Sequence, residues 1–423
     1  MRIAQVVHNF TGERRGGTER WAEALARELA TRHEVEVFST QINETNLVHG
    51  RADERIRVTR MEVHGLPATV VHRPRLPTLE RRAAAQRTIT RAYEAFLADG
   101  RFDVVHVHHV MDASVDMLGA TASARVPFVL QLHDWWYACP RVDLIRKDLS
   151  ICETGPRMGF ACIRHCNPFG DTREYAVAPQ TRDRRSPADA LFVARYVRNR
   201  RQLARVPRFI AGSNFLRDRW ARLGLDPSRV EVVPLGLPPV DPPARRPAAP
   251  PLRFVTLGRL SLLKGTDVVL EAFREIGPDR ATLTLHGAIP DDQRPVIEPL
   301  LEASGPNVRH AGPYDTDAAL AEADALIAAS RQLETFSITA HEAFQRHVPV
   351  LAARRGGALA EYVRDGVDGV LFDGSHELRA AIGRLVDEPA RVDELSRNAP
   401  RVATVAEQAA RVEDLYGRLP GRA

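Results

Sequence analysis

Two glutamates, Glu334 and Glu342, bracket the stretch Glu334-Thr335-Phe336-Ser337-Ile338-Thr339-Ala340-His341-Glu342. The apolar run Ala325-Leu326-Ile327-Ala328-Ala329 before it reads as a buried strand, and Ala343-Phe344-Gln345 after it reads as helix. A strand, a short loop and a helix start make the element on which α/β proteins bind anions, because the first N–H groups of a helix are unpaired and carry partial positive charge. A mostly helical path between the glutamates would set them roughly 12 Å apart, about the reach from a sugar ring to a ribose across a diphosphate. Each carboxylate can then grip a hydroxyl pair while the N–H groups between them face phosphates. A second cluster lies upstream. The strand candidate Phe254-Val255-Thr256-Leu257 runs into Gly258-Arg259-Leu260-Ser261-Leu262-Leu263-Lys264-Gly265, and a helix is expected from Asp267 to Ile276. Gly258 permits a tight turn, Arg259 forks onto phosphate oxygens, and Lys264 adds a mobile point charge. Two cations beside two carboxylates suit a nucleotide-sugar, although each alone also suits a solvated surface.

These residues must be carried by a scaffold. The chain opens with a strand over Ile3 to Val7. Gly16 and Gly17 then lead into a helix from Thr18 to Arg32, with Trp21, Leu25 and Leu29 on one face. Val35 to Phe38, Val104 to Val107 and Phe128 to Leu132 are further strands, and Arg81 to Leu97 is a helix. Such alternation predicts a parallel sheet with helices on both faces. From Pro234 to Pro251 prolines exclude helix and central strand and predict a stiff connector. Alternation restarts at Arg253. We expect an N-terminal Rossmann-like domain over 1–235, a linker over 236–251, a second Rossmann-like domain over 252–390, and a helical tail over 391–423 that breaks before Pro400.

Taken together, the Glu-x7-Glu stretch and the upstream Gly-Arg-Leu-x3-Lys-Gly resemble the retaining glycosyltransferases of the GT-B fold, family four. The resemblance spans nearly the whole chain: Gly16-Gly17-Thr18-Glu19 is similar to the family's glycine loop, and Asp103-Val104-Val105-His106-Val107-His108, Leu132-His133-Asp134 and Gly212-Ser213-Asn214 to its N-domain strand ends. Gly356-Gly357-Ala358-Leu359-Ala360-Glu361 is similar to its Gly-Gly-x3-Glu turn. The resemblance implies two facing α/β domains whose C-terminal helix crosses back onto the first. It also implies sugar transfer from a nucleoside diphosphate sugar, UDP-sugar by default, to a hydroxyl or amine with retention of anomeric configuration. By this match Glu342 binds ribose hydroxyls and Glu334 hydroxyls of the donor sugar. Arg259 and Lys264 clamp the diphosphate, Thr335, Phe336 and Ser337 belong to the donor loop, Gly16 and Gly17 admit the phosphates, and His133 contacts the sugar near the reacting carbon. Ser213 and Glu361 are weaker candidates. Where the family often has glycine after the first glutamate, this chain has Thr335. No covalent nucleophile stands out, which favours a front-face path without a catalytic metal. Asp315-Thr316-Asp317 precedes a helix and reads as its cap.

All four cysteines, Cys139, Cys152, Cys162 and Cys166, fall in one stretch. If thiols stay reduced a disulfide is disfavoured, and four thiolates suit tetrahedral structural zinc, with His165 as an alternative ligand. Redox or idle thiols are the other reading. The stretch follows Trp135, Trp136 and Tyr137, which can stack on an acceptor's sugar faces or pack beneath the loop.

A length of 423 residues suits two domains, and a 44% hydrophobic fraction fills two cores. No signal-like or membrane-spanning apolar run is evident, so a cytoplasmic enzyme is expected, with contact at the inner membrane face possible through the Arg-rich segment Ala194 to Leu203. The net charge of +5 accommodates acidic substrates, a lipid-linked acceptor or nucleic acid. Competing readings are a sugar-nucleotide epimerase or phosphorylase on the same fold, and a zinc-containing nucleic-acid-binding protein using Thr181-Arg182-Asp183-Arg184-Arg185.

Overall fold

The computed structural model describes residues 1–11, 16–42, 56–73, 86–111, 113–139, 141–146, 148–153, 155, 162, 187–242 and 244–421. Two sheets organise them. The first begins with β1 (Arg2–His8), α1 (Gly17–Ala30) and β2 (Glu34–Ile42). A hairpin of β3 (Arg57–Val63) and β4 (Leu66–Arg73) follows, then α2 (Arg87–Gly100), β5 (Val104–Val107), α3 (Asp116–Ser123) and β6 (Phe128–Leu132). Next come α4 (Pro187–Ala204), β7 (Arg208–Ala211), α5 (Asn214–Arg222) and β8 (Val230–Val232). Strand order is β3-β4-β2-β1-β5-β6-β7-β8, parallel throughout except for the antiparallel β3–β4 pair.

The second sheet is wholly parallel. It comprises β9 (Leu252–Leu257), β10 (Ala281–His286), β11 (Val308–Gly312), β12 (Ala325–Ala328), β13 (Val350–Ala353) and β14 (Gly369–Phe372), in the order β11-β10-β9-β12-β13-β14. Its helices are α6 (Thr266–Phe273), α7 (Arg294–Glu302), α8 (Thr316–Ala321), α9 (Ile338–Gln345), α10 (Leu359–Tyr362), α11 (Gly374–Asp387), α12 (Ala390–Arg397) and α13 (Val405–Gly417).

Alternate strand residues feed opposite faces. Ala4 and Val6 join one apolar cluster and Ile3 and Val7 another, while Phe254 and Val255 divide in the same way in the second sheet. Burial on both faces explains why these strands read as near-continuous apolar runs. The order reverses around β1 in the first sheet and between β9 and β12 in the second. At such switch points the outgoing loops part and leave a crevice at the strands' carboxyl ends.

Two elements depart from the sequence reading. The β3–β4 hairpin is unanticipated, because β3 is exposed at every position but Val63 and so shows no buried alternation. Its signal is the His64-Gly65 turn, where both residues have positive φ, 53° and 77°, as a two-residue hairpin loop requires. The second is the expected helix from Arg81, of which the described part begins at Arg87; residues 81–85 lie outside the described residues.

The tail divides before Pro400: α12 ends at Arg397 and α13 begins at Val405, capped by a Thr404–Glu407 box. α13 crosses to the first domain, where Ala409, Val412, Leu415 and Tyr416 join the cluster of Trp21 and Leu25. Its anchor is the fully buried Gln408. Gln408 Oε1 accepts hydrogen bonds from Trp21 Nε1–H at 2.8 Å and from the Gly236 N–H at 2.7 Å. Gly236 must lack a side chain, since a Cβ there would sit 2.2 Å from the Thr404 carbonyl oxygen. One side chain thus joins α1, the connector and the final helix.

Gln408→Leu leaves two buried donors unpaired. It is expected to lower the unfolding free energy by about 2–4 kcal/mol, read as a shift in the chemical denaturation midpoint. An unchanged midpoint would show that these bonds do not hold the crossing helix.

Candidate active site

On the second domain the cleft begins where β9 ends. Gly258 takes φ +113°, and a Cβ on Gly287 would lie 1.9 Å from the Gly258 carbonyl oxygen, so glycine at both positions lets the loops after β9 and β10 cross. Arg259 follows and is exposed on the cleft wall, with no protein partner for its guanidinium among the described residues. Ser261 caps a single turn of 3₁₀ helix, Leu262–Lys264. Gly265, at φ +70°, brings this turn onto the end of β12, where a Cβ would be 2.0 Å from the Ala329 carbonyl oxygen.

The loop after β12 is stitched to that turn. Arg331 and Gln332 N–H groups donate to the Leu263 carbonyl at 2.9 and 3.1 Å, and Arg331 forks onto Asp267 at 2.5 and 2.6 Å. The backbone of Glu334 is held on both sides: its N–H donates to Gly356 O at 3.2 Å, and its carbonyl accepts from Ala358 N–H at 2.8 Å. Its side chain, 16% exposed, accepts from Lys264 Nζ at 2.6 Å.

Ser337 then adopts φ 68°, ψ 79° and α9 begins without a side-chain cap bond. Only residues 338–342 of the Glu334–Glu342 stretch are helical, so helical rise does not set the separation of the two carboxylates. Arg259, Lys264, Glu334, Ser337 and Thr339 line one cleft. Glu342, partly buried within α9, has Tyr314, Arg20 and Arg346 near it. Burial raises its carboxyl above the ordinary value, against the pull of Arg346 and Arg20. Thr335 and Phe336 turn away from the cleft, toward the first domain.

The first domain presents the carboxyl ends of β1, β5 and β6, each carrying histidine. His8 Nε2 lies 3.1 Å from Glu19 Oε1. Burial works to raise the Glu19 carboxyl, yet its bond and charge attraction to His8, aided by backbone bonds at Glu19 and Gly16, hold it below the usual range. His109 Nδ1 accepts from the Met111 N–H at 2.8 Å, which leaves Nε2 to donate to Asp134 Oδ1 at 3.2 Å. His133 lies edge-on to Trp21, with ring centroids 5.0 Å apart. Burial, then the neighbouring histidines, hold its imidazole well below the ordinary value, so the ring is neutral near pH 7. Its shielded Nε2 has no hydrogen-bond partner among the described residues. Burial likewise brings His106 down to about 3.

The two sets meet at helix ends. Gly17 opens α1, and a Cβ there would approach Ile338 Cδ1, the first residue of α9, at 3.0 Å. The N-termini of α1 and α9 are thus neighbours; Ser337 makes no side-chain cap bond at α9, while at α1 the Glu19 carboxylate bonds the N–H groups of Gly16 and Glu19.

Residues outside the sequence reading complete the framework: the His8–Glu19 and His109–Asp134 pairs, Arg331, and Tyr362, whose hydroxyl donates to Gly212 O at 2.6 Å. No local pattern signals them, since their partners lie far away in sequence. Ser213 and Glu361 serve as caps here. Ser213 Oγ accepts from Leu216 N–H, and Glu361 accepts from the N–H groups of Asn214 and Phe215. Asp315 caps α8 through Ala318 N–H, and Asp317 pairs with Arg346.

One expectation needs correction and two open alternatives are narrowed. Among the described residues no group of three histidine, cysteine or acidic side chains gathers as a metal would require. Cys139 is buried in the first domain's core and Cys152 packs beside it. Cys162 is also buried, and Cys166 and His165 lie outside the described residues. The described residues therefore do not fit a zinc site. Trp135, Trp136 and Tyr137 are 1%, 4% and 1% exposed and pack beneath the loop, because burying rings of this size outweighs presenting them to solvent. Of the four arginines in the Ala194–Leu203 segment, three are engaged within the protein and Arg201 is exposed. Arg195 is buried against Trp136, Arg198 is paired with Asp116, and Arg200 donates to the carbonyls of Leu223 and Gly224. No described helix is long and apolar enough to cross a membrane. The basic patch 181–185 lies outside the described residues.

Residues 15–240 match the family described as Glycosyltransferase Family 4, and residues 251–388 match Glycosyl transferases group 1. The chain is 32% identical over 335 residues to a D-inositol 3-phosphate glycosyltransferase of Rhodococcus opacus, covering 73% of this chain and 65% of that one. It is 27% identical over 327 residues to D-inositol 3-phosphate glycosyltransferase 1 of Catenulispora acidiphila, covering 71% and 68%. Among solved structures, Anabaena Alr3699/HepE in complex with UDP superposes with a TM-score of 0.67 at 17% identity, covering 99% of this chain and 100% of that one. Sucrose-phosphate synthase from Thermosynechococcus elongatus superposes with a TM-score of 0.67 at 17% identity, covering 99% and 98%. With a family match across more than half its length and two parallel-sheet domains of the GT-B kind, this chain belongs to glycosyltransferase family 4.

Proposed function

We propose that the protein is a glycosyltransferase that moves a sugar from a nucleoside diphosphate sugar to a hydroxyl or amine acceptor, with retention of anomeric configuration. The donor lies on residues 252–390 and the acceptor on residues 1–235. The observation that carries this reading is the meeting of the α1 and α9 N-termini at Gly17 and Ile338, on a cleft lined by Arg259, Lys264 and Glu334. The α9 end, which lacks a side-chain cap, and two cations suit a diphosphate. UDP is favoured as the nucleotide: one structural neighbour, Alr3699/HepE, is solved both with UDP and with UDP-glucose. The named activity of the curated relatives supports a hydroxyl acceptor of small polyol or sugar type.

In this reading Arg259 and Lys264 hold the diphosphate and offset the charge that grows on it as the glycosidic bond breaks. Glu334, steadied by Lys264, accepts from hydroxyls of the donor sugar, and Glu342 accepts from the ribose. Neutral His133 offers its shielded Nε2 to the sugar near the reacting carbon. The acceptor attacks from the face the diphosphate leaves, and the leaving phosphate oxygen takes the acceptor's proton.

A thermal-shift panel of UDP, GDP, ADP and TDP with their sugars tests the donor site. One nucleotide at 100-fold its dissociation constant should add about 2.7 kcal/mol of stability, and Glu342→Ala should abolish the rise. No rise for any of them would remove the donor reading, while release of an altered nucleotide-sugar without acceptor would favour an epimerase.

Lys264→Ala should lower kcat about 10²- to 10³-fold, measured as nucleotide release with acceptor present. Wild-type turnover in this variant would remove Lys264 from the clamp.

Glu342 also sets a pH dependence. Its folded-state pKa is raised by burial, so the ionised carboxylate costs stability at neutral pH. The cost is relieved as pH falls through the folded value toward the unfolded one. Glu342→Gln should therefore melt higher than wild type at pH 7 without nucleotide, and the difference should vanish below the ordinary carboxylate range. A lower melting point at pH 7 would contradict this assignment.

A further inference from the structure

The residue after Glu334 is where the chain departs from its family's frequent glycine, and the structure gives that departure a partner. Thr335 Oγ1 donates to the carbonyl of His133 at 2.7 Å, joining positions 202 residues apart and on different domains. The carbonyl of the same threonine accepts from Ser213 Oγ at 2.8 Å. Thr335 is thus bonded to the loops leaving β6 and β7, which are neighbours in the first sheet. The residues on either side join the contact. Trp135 Nε1–H donates to Leu333 O at 3.4 Å. Phe336, 3% exposed, stacks on His341 with centroids 3.8 Å apart and faces Gly212, where a Cβ would stand 3.6 Å from it.

We propose that Thr335 is a positioning residue that sets the separation between His133 on one domain and Glu334 on the other. The inference rests on the donor-site reading above. The covalent geometry is short on both sides: the bond ends on the backbone of His133 itself and begins on the residue adjoining Glu334. Among the bonds that join the domains here, this one therefore acts most directly on two groups that must serve one sugar from opposite walls. Glycine at 335 retains the carbonyl that Ser213 reaches but has no hydroxyl for His133. The backbone hold on Glu334, from Gly356 and Ala358, keeps the donor side rigid, so loss of the Thr335 bond moves the domains relative to each other rather than loosening the loop. Small misplacements of reacting groups carry large rate costs.

The test compares wild type with Thr335→Val, which keeps the shape and loses the hydroxyl, Thr335→Ser, which keeps the hydroxyl, and Thr335→Gly. UDP-glucose is the probe, with UDP release followed with water as acceptor. Thr335→Val and Thr335→Gly should lower kcat about tenfold with KM for UDP-glucose within about twofold, and Thr335→Ser should stay within about twofold of wild type. The separation of spin labels placed on the two domains, measured without nucleotide, should broaden in Val and Gly and not in Ser. If Thr335→Val fails to fold, the Gly and Ser pair decides. A narrow wild-type-like separation in Gly, or a Ser variant as impaired as Gly, overturns the proposal. If wild type shows neither binding nor turnover of any nucleotide-sugar, the donor reading fails, and the label separation alone then judges the latch.

Discussion

The backbone of Glu334 is the constraint on which the cleft depends. Hydrogen bonds to both its N–H and its carbonyl tie it to the Gly356-Gly357-Ala358 turn. Gly357, at φ +72°, comes so close that a Cβ would lie 2.5 Å from the Glu334 carbonyl oxygen. With that residue fixed, Lys264 has a carboxylate to meet, Thr335 is delivered to the first domain, and Ser337 turns the chain into α9. A positive φ at a non-glycine residue is costly. At Ser337 it is sustained by rigid anchors on both sides: the Glu334 turn before it, and after it His341, whose Nδ1 lies 2.9 Å from the Ser337 carbonyl.

The first domain is organised differently. Its wall is built from paired polar side chains that are nearly all buried: His8 with Glu19, His109 with Asp134, His108 with Gln5 and His106 with Tyr416. Pairing matters because a buried polar group without a partner costs far more than a satisfied one gains. Burial holds His106 and His108 below the ordinary imidazole value, since it disfavours the charged form. One wall of the cleft therefore carries Arg259, Lys264 and Glu334, and the other sets buried histidines beside the Glu19 and Asp134 carboxylates.

Much of this frame was legible in the sequence because it rests on local signals. Buried parallel strands show as apolar runs, so β1, β5, β6, β9 and β12 stood out, and the proline-rich connector marked the change of sheet. Gly258, Arg259, Lys264, Glu334 and Glu342 were legible as chemistry by type and order. What the sequence withheld is set by distant partners. Nothing near Thr335 indicates a bond to a carbonyl 202 residues earlier. An exposed strand such as β3 has no buried alternation to read. The aromatic triplet at 135–137 left packing and ligand stacking open, and burial decided for packing. The cysteines show the opposite error. Clustering along the chain suggested a shared ligand, but among the described residues no metal-holding group forms, and Cys139 lies in an apolar core.

The crossing helix has a consequence for how the chain is made. Trp21 and Gln408 are bonded partners separated by 387 residues. During vectorial synthesis at about 5–20 residues per second, Trp21 is made about 20–80 s before the Gln408 that it bonds. Through that interval the apolar face of Ile3, Val7, Trp21 and Leu25, which Ala409, Val412 and Leu415 later share, stands incomplete. The first domain thus completes its core only when α13 docks on it.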